Sequence, residues 1–432
     1  MFTTILKYEL KYFLRNKIIS VLFAVLIAIT FYALYNGSTF YKKQTSVIEK
    51  LKVKDSTAFQ TIIQNFKAGD TLTADAKWKY KNLQRASWAI FDNRFNVFWQ
   101  PKPISVINIG NRDVYPYYQE IMPVSLYMRL FKNEISNPNS LLIGNIDFSY
   151  VILFLMPLFI ISLLFNFISE NKEKGIQSFL ETNATSFSNY LYCRLAFYIL
   201  IIVAILLLLF SMAYFLFFKD VSGILFLKIF IYSIFYSLFW IVICFGVNKL
   251  NKTSVFNISF LISLWLCFSI LIPSVANQVA AYKYPINTEE ISKNIRRVQL
   301  NGDNKEYSNV LKKFYSKYPQ YYNNDTSETT LFSLAYLAQG QLSDLEGDSL
   351  LNGICEKMLL KQKFLKRISY LDPCMYLQNK YADLTETNLI DYVDYLKRLQ
   401  RFNKELKLFY FKKAFTDDKM DLTYYQKMPK WK

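Results

Sequence analysis

Long apolar runs alternate with charged segments along the chain. Five of these runs, residues 18–35, 148–168, 195–218, 224–247 and 255–273, are long enough to cross a lipid bilayer as helices. Apart from Lys228 near the start of the fourth run, they contain no Asp, Glu, Lys or Arg. The pattern predicts an all-α polytopic membrane protein with about five transmembrane helices, here called spans 1 to 5.

Two long polar segments, residues 36–147 and 274–432, accompany the spans. Apolar side chains recur in them at helical spacing, which predicts two large, mainly helical domains. Prolines and a glycine between residues 100 and 116 predict an ordered, irregular loop in the first domain. The residues Asn36–Thr39 are typical of a turn after span 1, and Pro273 is expected to end span 5.

Residues 1–17 form an amphipathic pattern ahead of span 1. Leu6, Leu10, Phe13 and Leu14 fall on one helical face, with lysines on the other. This indicates either a cytoplasmic helix lying in the membrane interface or a short stub of span 1. Span 1 is too long for a typical signal-peptide core and no small-residue cleavage site follows it, which predicts an uncleaved anchor.

Basic residues favour an orientation with the N-terminus inside. The positive-inside rule then places residues 1–17 and the connector, residues 169–194, in the cytoplasm and both large segments outside. The inner segments would hold these basic residues: Lys7, Lys11, Arg15, Lys17, Lys172, Lys174, Arg194, Lys249 and Lys252.

The composition excludes several kinds of chemistry. The net charge of +18 is explained by Lys and Arg near the spans, because no nucleic-acid recognition motif accompanies it. The chain has no histidine, which removes histidine-based acid–base catalysis, Ser-His-Asp triads and His-liganded zinc. No catalytic residue, cofactor or metal site is predicted. Cys355 and Cys374 could form a disulfide if their segment lies outside the cytoplasm.

The sequence shows none of the usual means of driving transport, and an ion site built from backbone carbonyls around Pro157 is the alternative that stays open. Proton- or ion-driven carriers need ionisable groups near the middle of the membrane, and the spans have almost none. No G-x-x-x-x-G-K-[ST] motif is present, so a P-loop ATPase would have to be another polypeptide.

The connector carries an apolar stripe at the membrane surface. Ile176, Phe179 and Leu180 fall at helical spacing, with Glu173 and Lys174 on the other faces. Such a stripe either lies among lipid headgroups or docks on another protein, and docking is the interpretation favoured here.

The connector resembles the first cytoplasmic connector of type-2 ATP-binding-cassette (ABC) permeases. It departs from that pattern at Ile176, where threonine is usual, and at Asn183–Thr185. The matching positions are Glu170, Glu173, Gly175, Phe179, Leu180, Ser186 and Arg194. In that family this element is a coupling helix seated in a groove of a separate ATPase subunit. The resemblance therefore implies that an ATPase is coupled to the chain through Glu170, Glu173, Gly175, Ile176, Phe179 and Leu180.

A second set of residues resembles the outer loops of a subgroup of these permeases with two large extracytoplasmic segments. The set is Pro101, Pro103, Ser105, Gly110, Pro116 and Pro373. The resemblance implies a subunit of the bacterial cytoplasmic (inner) membrane that pairs with a second copy or a sister permease and exports its substrate. Members of the subgroup usually have a sixth span after the last of these motifs, and this sequence has none there.

Two other interpretations remain open. The chain could be an ATPase-coupled machine that acts mechanically through its outer segments. It could also be a membrane-anchored binding or sensor protein with no ATPase, in which case Gly175 and Phe179 could be changed freely.

Overall fold

The computed structural model describes residues 2–68, 74–127, 145–178, 182, 187–217, 222–286, 307–322, 328–416 and 419–431. Within these ranges the protein is almost entirely helical, and its one sheet is a two-stranded antiparallel hairpin. Five helices are long and apolar enough to cross a membrane. The predicted fold class, an all-α polytopic membrane protein, is confirmed.

The elements are numbered here in chain order. The membrane-spanning helices are α2 (Lys17–Ala68), α5 (Phe148–Glu173), α6 (Phe187–Phe217), α7 (Gly223–Asn248) and α8 (Ser254–Lys283). The remaining elements are α1 (Phe2–Arg15), α3 (Ala74–Leu83), α4 (Ala86–Asp92), β1 (Phe95–Phe98), β2 (Tyr118–Ile121), α9 (Tyr307–Lys317), α10 (Glu328–Ile368), α11 (Pro373–Thr385), α12 (Leu389–Ala414) and α13 (Leu422–Tyr425).

The helix of span 1 does not end near Asn36. α2 runs on for 52 residues, so the predicted turn at Asn36–Thr39 is wrong. At about 1.5 Å per residue the helix is roughly 80 Å long, far more than a bilayer requires. Gly37 is used for close packing instead, because a Cβ at that position would overlap the carbonyl oxygen of Val106.

Spans 2 and 5 each contain a π-helical turn just before a proline. Val151–Leu155 precedes Pro157, and Cys267–Leu271 precedes Pro273. A π turn accommodates the distortion that a proline ring imposes on a helix. The helix of span 5 therefore continues to Lys283, and the prediction that Pro273 ends it is wrong.

The spans pack around α5. Of its most apolar window 67% is buried, whereas the corresponding window of α8 is only 17% buried. The core of this membrane bundle includes Phe148 and Ile160 of α5, Leu206 of α6 and Trp240 of α7. α5 is thus enclosed by protein, and the other spans keep broad apolar faces for lipid.

The two large segments share one hydrophobic core, which we call the outer module (residues 44–127 and 307–431). Asp344 of α10 accepts hydrogen bonds from Ser125 Oγ at 2.9 Å and from the Leu126 amide at 3.1 Å, and it pairs with Lys407 of α12. Tyr115 stacks on Tyr392 with ring centroids 4.3 Å apart. Each segment covers apolar surface of the other, so the two predicted domains share one core.

The possible Cys355–Cys374 disulfide is not formed. Both cysteines are buried and unpaired. Cys355 lies in the core of the outer module, whereas Cys374 lies in the core of the membrane bundle. The two side chains belong to different cores, which removes the basis for pairing them.

Candidate coupling site

Gly175 ends the helix of span 2 with a Schellman motif. Its amide donates to the Lys172 carbonyl, and the Ile176 amide donates to the Asn171 carbonyl, both at 3.0 Å. Gly175 has a φ of +70°, a conformation that costs residues with a Cβ about 1 kcal/mol or more. The E-x-G part of the connector pattern is therefore a helix C-cap.

The C-cap lies just before the apolar stripe that the sequence predicted. Ile176 follows the break with 43% of its surface exposed, and helical backbone resumes at Gln177. Phe179 and Leu180 lie outside the described residues. The left-handed Gly175 ends α5 before the stripe. The predicted helical stripe of Ile176, Phe179 and Leu180 therefore stays a prediction.

Glu173 joins span 2 to span 5. Its carboxylate accepts hydrogen bonds from the Ser254 amide at 2.7 Å and the Ser254 hydroxyl at 2.8 Å. Ser254 is the first residue of α8, where amide groups have no partner within the helix. Ser169 adds a hydroxyl–hydroxyl bond of 2.7 Å to the same serine. Glu173 thus fixes the end of α5 to the start of α8.

Glu170 joins the same end of α5 to α1. Its carboxylate accepts a hydrogen bond from the Tyr12 hydroxyl at 3.1 Å and pairs with Lys174 at 2.5 Å. The hydrogen bond to Glu170 raises the pKa of Lys174 above its usual value. Both acidic residues of the predicted motif therefore have partners within the chain.

Arg194 carries a buried ion pair that sequence reasoning missed. Its Nε lies 2.7 Å from Glu9 Oε1, and it donates to the Phe167 carbonyl at 2.6 Å. Glu9 also accepts from the Tyr198 hydroxyl at 3.3 Å. α1 is therefore docked on the bundle through a face that includes Glu9, with Leu6 and Phe13 packed beside it. A lone glutamate on the face of apolar residues was the feature that could have indicated this partner.

A cleft opens beside these contacts. It has a volume of about 530 Å³, and Lys172, Glu173, Lys252 and Phe256 are among the residues that line it. We call this whole region the connector end of the bundle. It is formed by α1, residues 165–178, Arg194 and residues 248–256. In the described residues of this region, hydrogen bonds connect the helix ends, which we call the connector frame, and the exposed side chain of Ile176 lies beside them.

The outer-loop residues meet where the outer module contacts the bundle. Pro103 begins a 3₁₀ turn, Pro103–Val106, in which Ser105 is buried, and that turn packs on α2. Gly110 has a φ of +54° and touches Thr387, whose carbonyl accepts the Asn111 amide at 2.9 Å. Pro101 is buried in the same loop, and Pro116 is half-buried before β2. These motif residues therefore serve packing and turn geometry.

Pro373 opens a helix of the outer module that enters the membrane bundle. Asp372 caps α11 by accepting the Cys374 and Met375 amides, and Pro373 occupies the first turn. Cys374, Leu377 and Tyr381 belong to the bundle core. α11 is thus one of the elements through which the two cores are joined.

Two hydrogen bonds connect α7 to α11 and to the π turn of span 2. Tyr381 shares a hydrogen bond of 2.5 Å with Ser233 of α7. The Tyr236 hydroxyl of α7 donates at 2.8 Å to the Leu153 carbonyl, which Pro157 leaves without a helical donor. α7 therefore contacts both the outer module and the irregular turn of α5.

The comparisons with known proteins place this joining region within a named domain. Residues 288–432 match the family model of a domain of unknown function, DUF3526. No curated protein and no solved structure matches the chain. The matched residues include α9 to α13, and therefore the helix that enters the bundle.

Proposed function

We propose that the chain is the membrane-spanning subunit of an ABC-type transporter whose ATPase is a separate subunit docked on residues 170–194. The observation that carries the proposal is the connector frame: Glu173 holds α8, Glu170 holds α1, and Ile176 stays exposed beside them. A force applied at Ile176 would reach three helices without passing through a flexible loop. Coupling of this kind moves rigid elements against each other.

The remaining parts of the proposal follow from the same resemblance. The subunit would lie in a bacterial inner membrane with the connector in the cytoplasm, pair with a second copy or a sister permease, and export its substrate. The broad lipid-exposed faces of α6 to α8 leave room for such a second permease.

Co-purification tests the ATPase partner. The tagged full-length chain is extracted from its native membrane in mild detergent, and bound proteins are identified by mass spectrometry. We expect a protein with a P-loop to co-purify in stoichiometric amounts with the wild-type chain. It should no longer co-purify with the Ile176→Asp variant or with the Phe179→Asp/Leu180→Asp double variant. Val53→Asp is the matched control, because Val53 is an exposed apolar residue of α2 in the outer module. A chain that purifies alone, or an ATPase that ignores the connector variants, would leave the anchored binding protein as the better interpretation.

A second candidate function is mechanical action on the outer module. The observation that favours it is α11, because a helix seated among spans would transmit their movement to α10 and α12. In this version ATP hydrolysis moves the outer module, and no substrate crosses the spans.

A cross-link between α7 and α11 separates the two candidates. Ser233→Cys with Tyr381→Cys is joined by a short bifunctional thiol reagent, because the gap left by the tyrosine ring is too wide for a direct disulfide. Ser233→Cys alone is the control. The mechanical function predicts an ATP-dependent change in protease cleavage of the outer module that the cross-link abolishes. Transport through the spans alone predicts that ATP hydrolysis and export continue in the cross-linked protein.

A further inference from the structure

The outer module contains a cleft that none of the coupling contacts uses. It has a volume of about 1050 Å³ and lies between the loop after β1 and one face of α12. Lys52 of α2, Trp99 of the loop and Trp431 near the end of the chain contribute to its walls. A volume of this size is sufficient for a ligand of several hundred daltons.

Charge is separated along the α12 wall of the cleft. Asp391 and Asp394 lie toward the start of the helix, and Arg398 and Arg401 lie further along the same face. At about 1.5 Å per residue, Asp391 and Arg401 are roughly 15 Å apart along the axis. Along the α12 wall the acidic residues thus come before the basic ones, which include Lys397. Lys52 and the Lys102–Glu386 ion pair also line the cleft.

Asp394, Arg398 and Arg401 are available to a ligand, whereas one carboxylate oxygen of Asp391 accepts the Asn388 amide at 3.2 Å. Among the residues that the structure describes, Asp394 has no lysine or arginine partner, and neither Arg398 nor Arg401 has a carboxylate partner. Asp394 and Arg401 are also exposed to solvent. Arg398 stacks over the Trp431 ring at 5.6 Å, which orients it along the wall.

Aromatic rings lie between the charged ends. Trp99, Phe98 and Trp431 all line the cleft. Ring faces of this kind accept apolar side chains and extended backbone with little loss of conformational entropy. The ligand that fits this order of groups is cationic at one end, apolar in the middle and anionic at the other end.

We propose that this cleft binds a short extended peptide segment, with a positive group at Asp391 and Asp394 and a carboxylate at Arg398 and Arg401. About 15 Å corresponds to four or five extended residues. A purely anionic ligand, such as phosphate or a lipid headgroup, would fill the basic end and gain nothing from the acidic end. The proposal goes beyond ATP-driven transport, since binding to the outer module needs no ATPase.

Binding is measured by calorimetry on the full-length chain in detergent. The probe is an equimolar pool of four-residue peptides of the form Lys-X-X-Glu, in which X is Ala, Leu or Phe. We expect saturable binding of the pool. Binding should weaken by about fivefold when the C-terminal half of the peptides is made neutral, by amidation and by changing Glu to Gln. Arg401→Glu should weaken binding by a similar factor, and it should favour Lys-X-X-Lys over the original pool.

The matched control is Lys404→Glu. Lys404 lies on the same helix and is exposed, but it does not line the cleft. Absence of binding by the folded wild-type chain would overturn the proposal. So would an equal effect of the Arg401 and Lys404 variants. Equal competition by inorganic phosphate, or by vesicles of anionic lipid, would overturn it in favour of a simple anion site.

Discussion

Arg194 is a buried cation, and its charge is compensated by Glu9, a residue that is distant in sequence. Removing a charge from water is costly unless an opposite charge and hydrogen bonds replace the lost hydration. Glu9, the Phe167 carbonyl and the ring of Phe167, 5.0 Å from the guanidinium, supply those replacements. This pair is therefore a main contact of α1 with the bundle, beside the Tyr12–Glu170 hydrogen bond and the packing of Leu6 and Phe13.

Glu9→Gln should destabilise the protein by about 3 kcal/mol, because it leaves the Arg194 charge buried without a counter-ion. The measurement is thermal unfolding in detergent. Lys11→Gln, an exposed change on the same helix, should have no measurable effect. Glu9→Leu combined with Arg194→Met should recover part of the loss, and failure to recover any would show that the charge imbalance is not its cause.

Asp372 gives a second prediction, on pH. Burial raises the pKa of Asp372 to about 6, whereas an aspartate in an unfolded chain has a pKa near 4. The folded protein therefore holds a proton between pH 4 and pH 6 that the unfolded chain has lost. The stability contributed by Asp372 is full below about pH 4 and disappears as pH rises through 6.

Asp372→Asn isolates this effect. Asparagine keeps an oxygen to cap α11 but does not titrate. Among the residues that the structure describes, no group donates a hydrogen bond to the second, buried carboxylate oxygen of Asp372, which suits the protonated form. We expect the difference in melting temperature between wild type and Asp372→Asn to change between pH 4 and pH 7. The melting temperature of the wild type should fall relative to that of the variant as the pH rises. A constant difference would contradict the assigned pKa.

At the scale of elements, the sequence predicted the spans well and their ends poorly. Uncharged runs of about twenty residues fix a membrane-spanning helix almost by themselves. Gly37 was interpreted as a turn because its actual use, the close approach of α2 to Val106, depends on a residue that is distant in sequence. The helix end at Gly175 could not be predicted either, because an E-x-G pattern fits both a continuous helix and a helix C-cap.

The entry of α11 into the bundle could not be predicted from its own sequence. Cys374, Leu377 and Tyr381 are the side chains of any amphipathic helix in a soluble domain. What makes them part of the bundle is Ser233 and the π turns of spans 2 and 5, and their position relative to α11 is a property of the folded chain. For the coupling motif, the sequence named Glu170 and Glu173 but not their partners within the chain, and their role in coupling stays a prediction.

Gly37→Ala should destabilise the contact between α2 and the outer loop by about 2 kcal/mol, because its Cβ would overlap backbone rather than a mobile side chain. The measurement is again thermal unfolding in detergent. Gly246→Ala is the control, because Gly246 lies in α7 with open space around it. Equal stability of both variants would show that α2 can move away from Val106 at little cost.

At the scale of the whole molecule, the same helices connect two ends with different properties. α5 begins beside the outer module, where Asp147 accepts the Ile109 amide at 2.9 Å, and ends in the connector frame. The outer module and the connector therefore lie at opposite ends of the spans. Once one end is assigned to a side of the membrane, the other end follows.

Cysteine labelling in intact cells tests that assignment. Lys404→Cys in the outer module should react with a membrane-impermeant maleimide, whereas Lys172→Cys in the connector should react only after permeabilisation. Both side chains are exposed, so burial does not bias the comparison, and the parent chain gives the background from its own cysteines. The reverse result would put the connector outside, where no cytoplasmic ATPase could reach Ile176. The coupling proposal would then fail as a whole, while the peptide cleft, which depends only on the folded outer module, would still stand and would open to the cytoplasm.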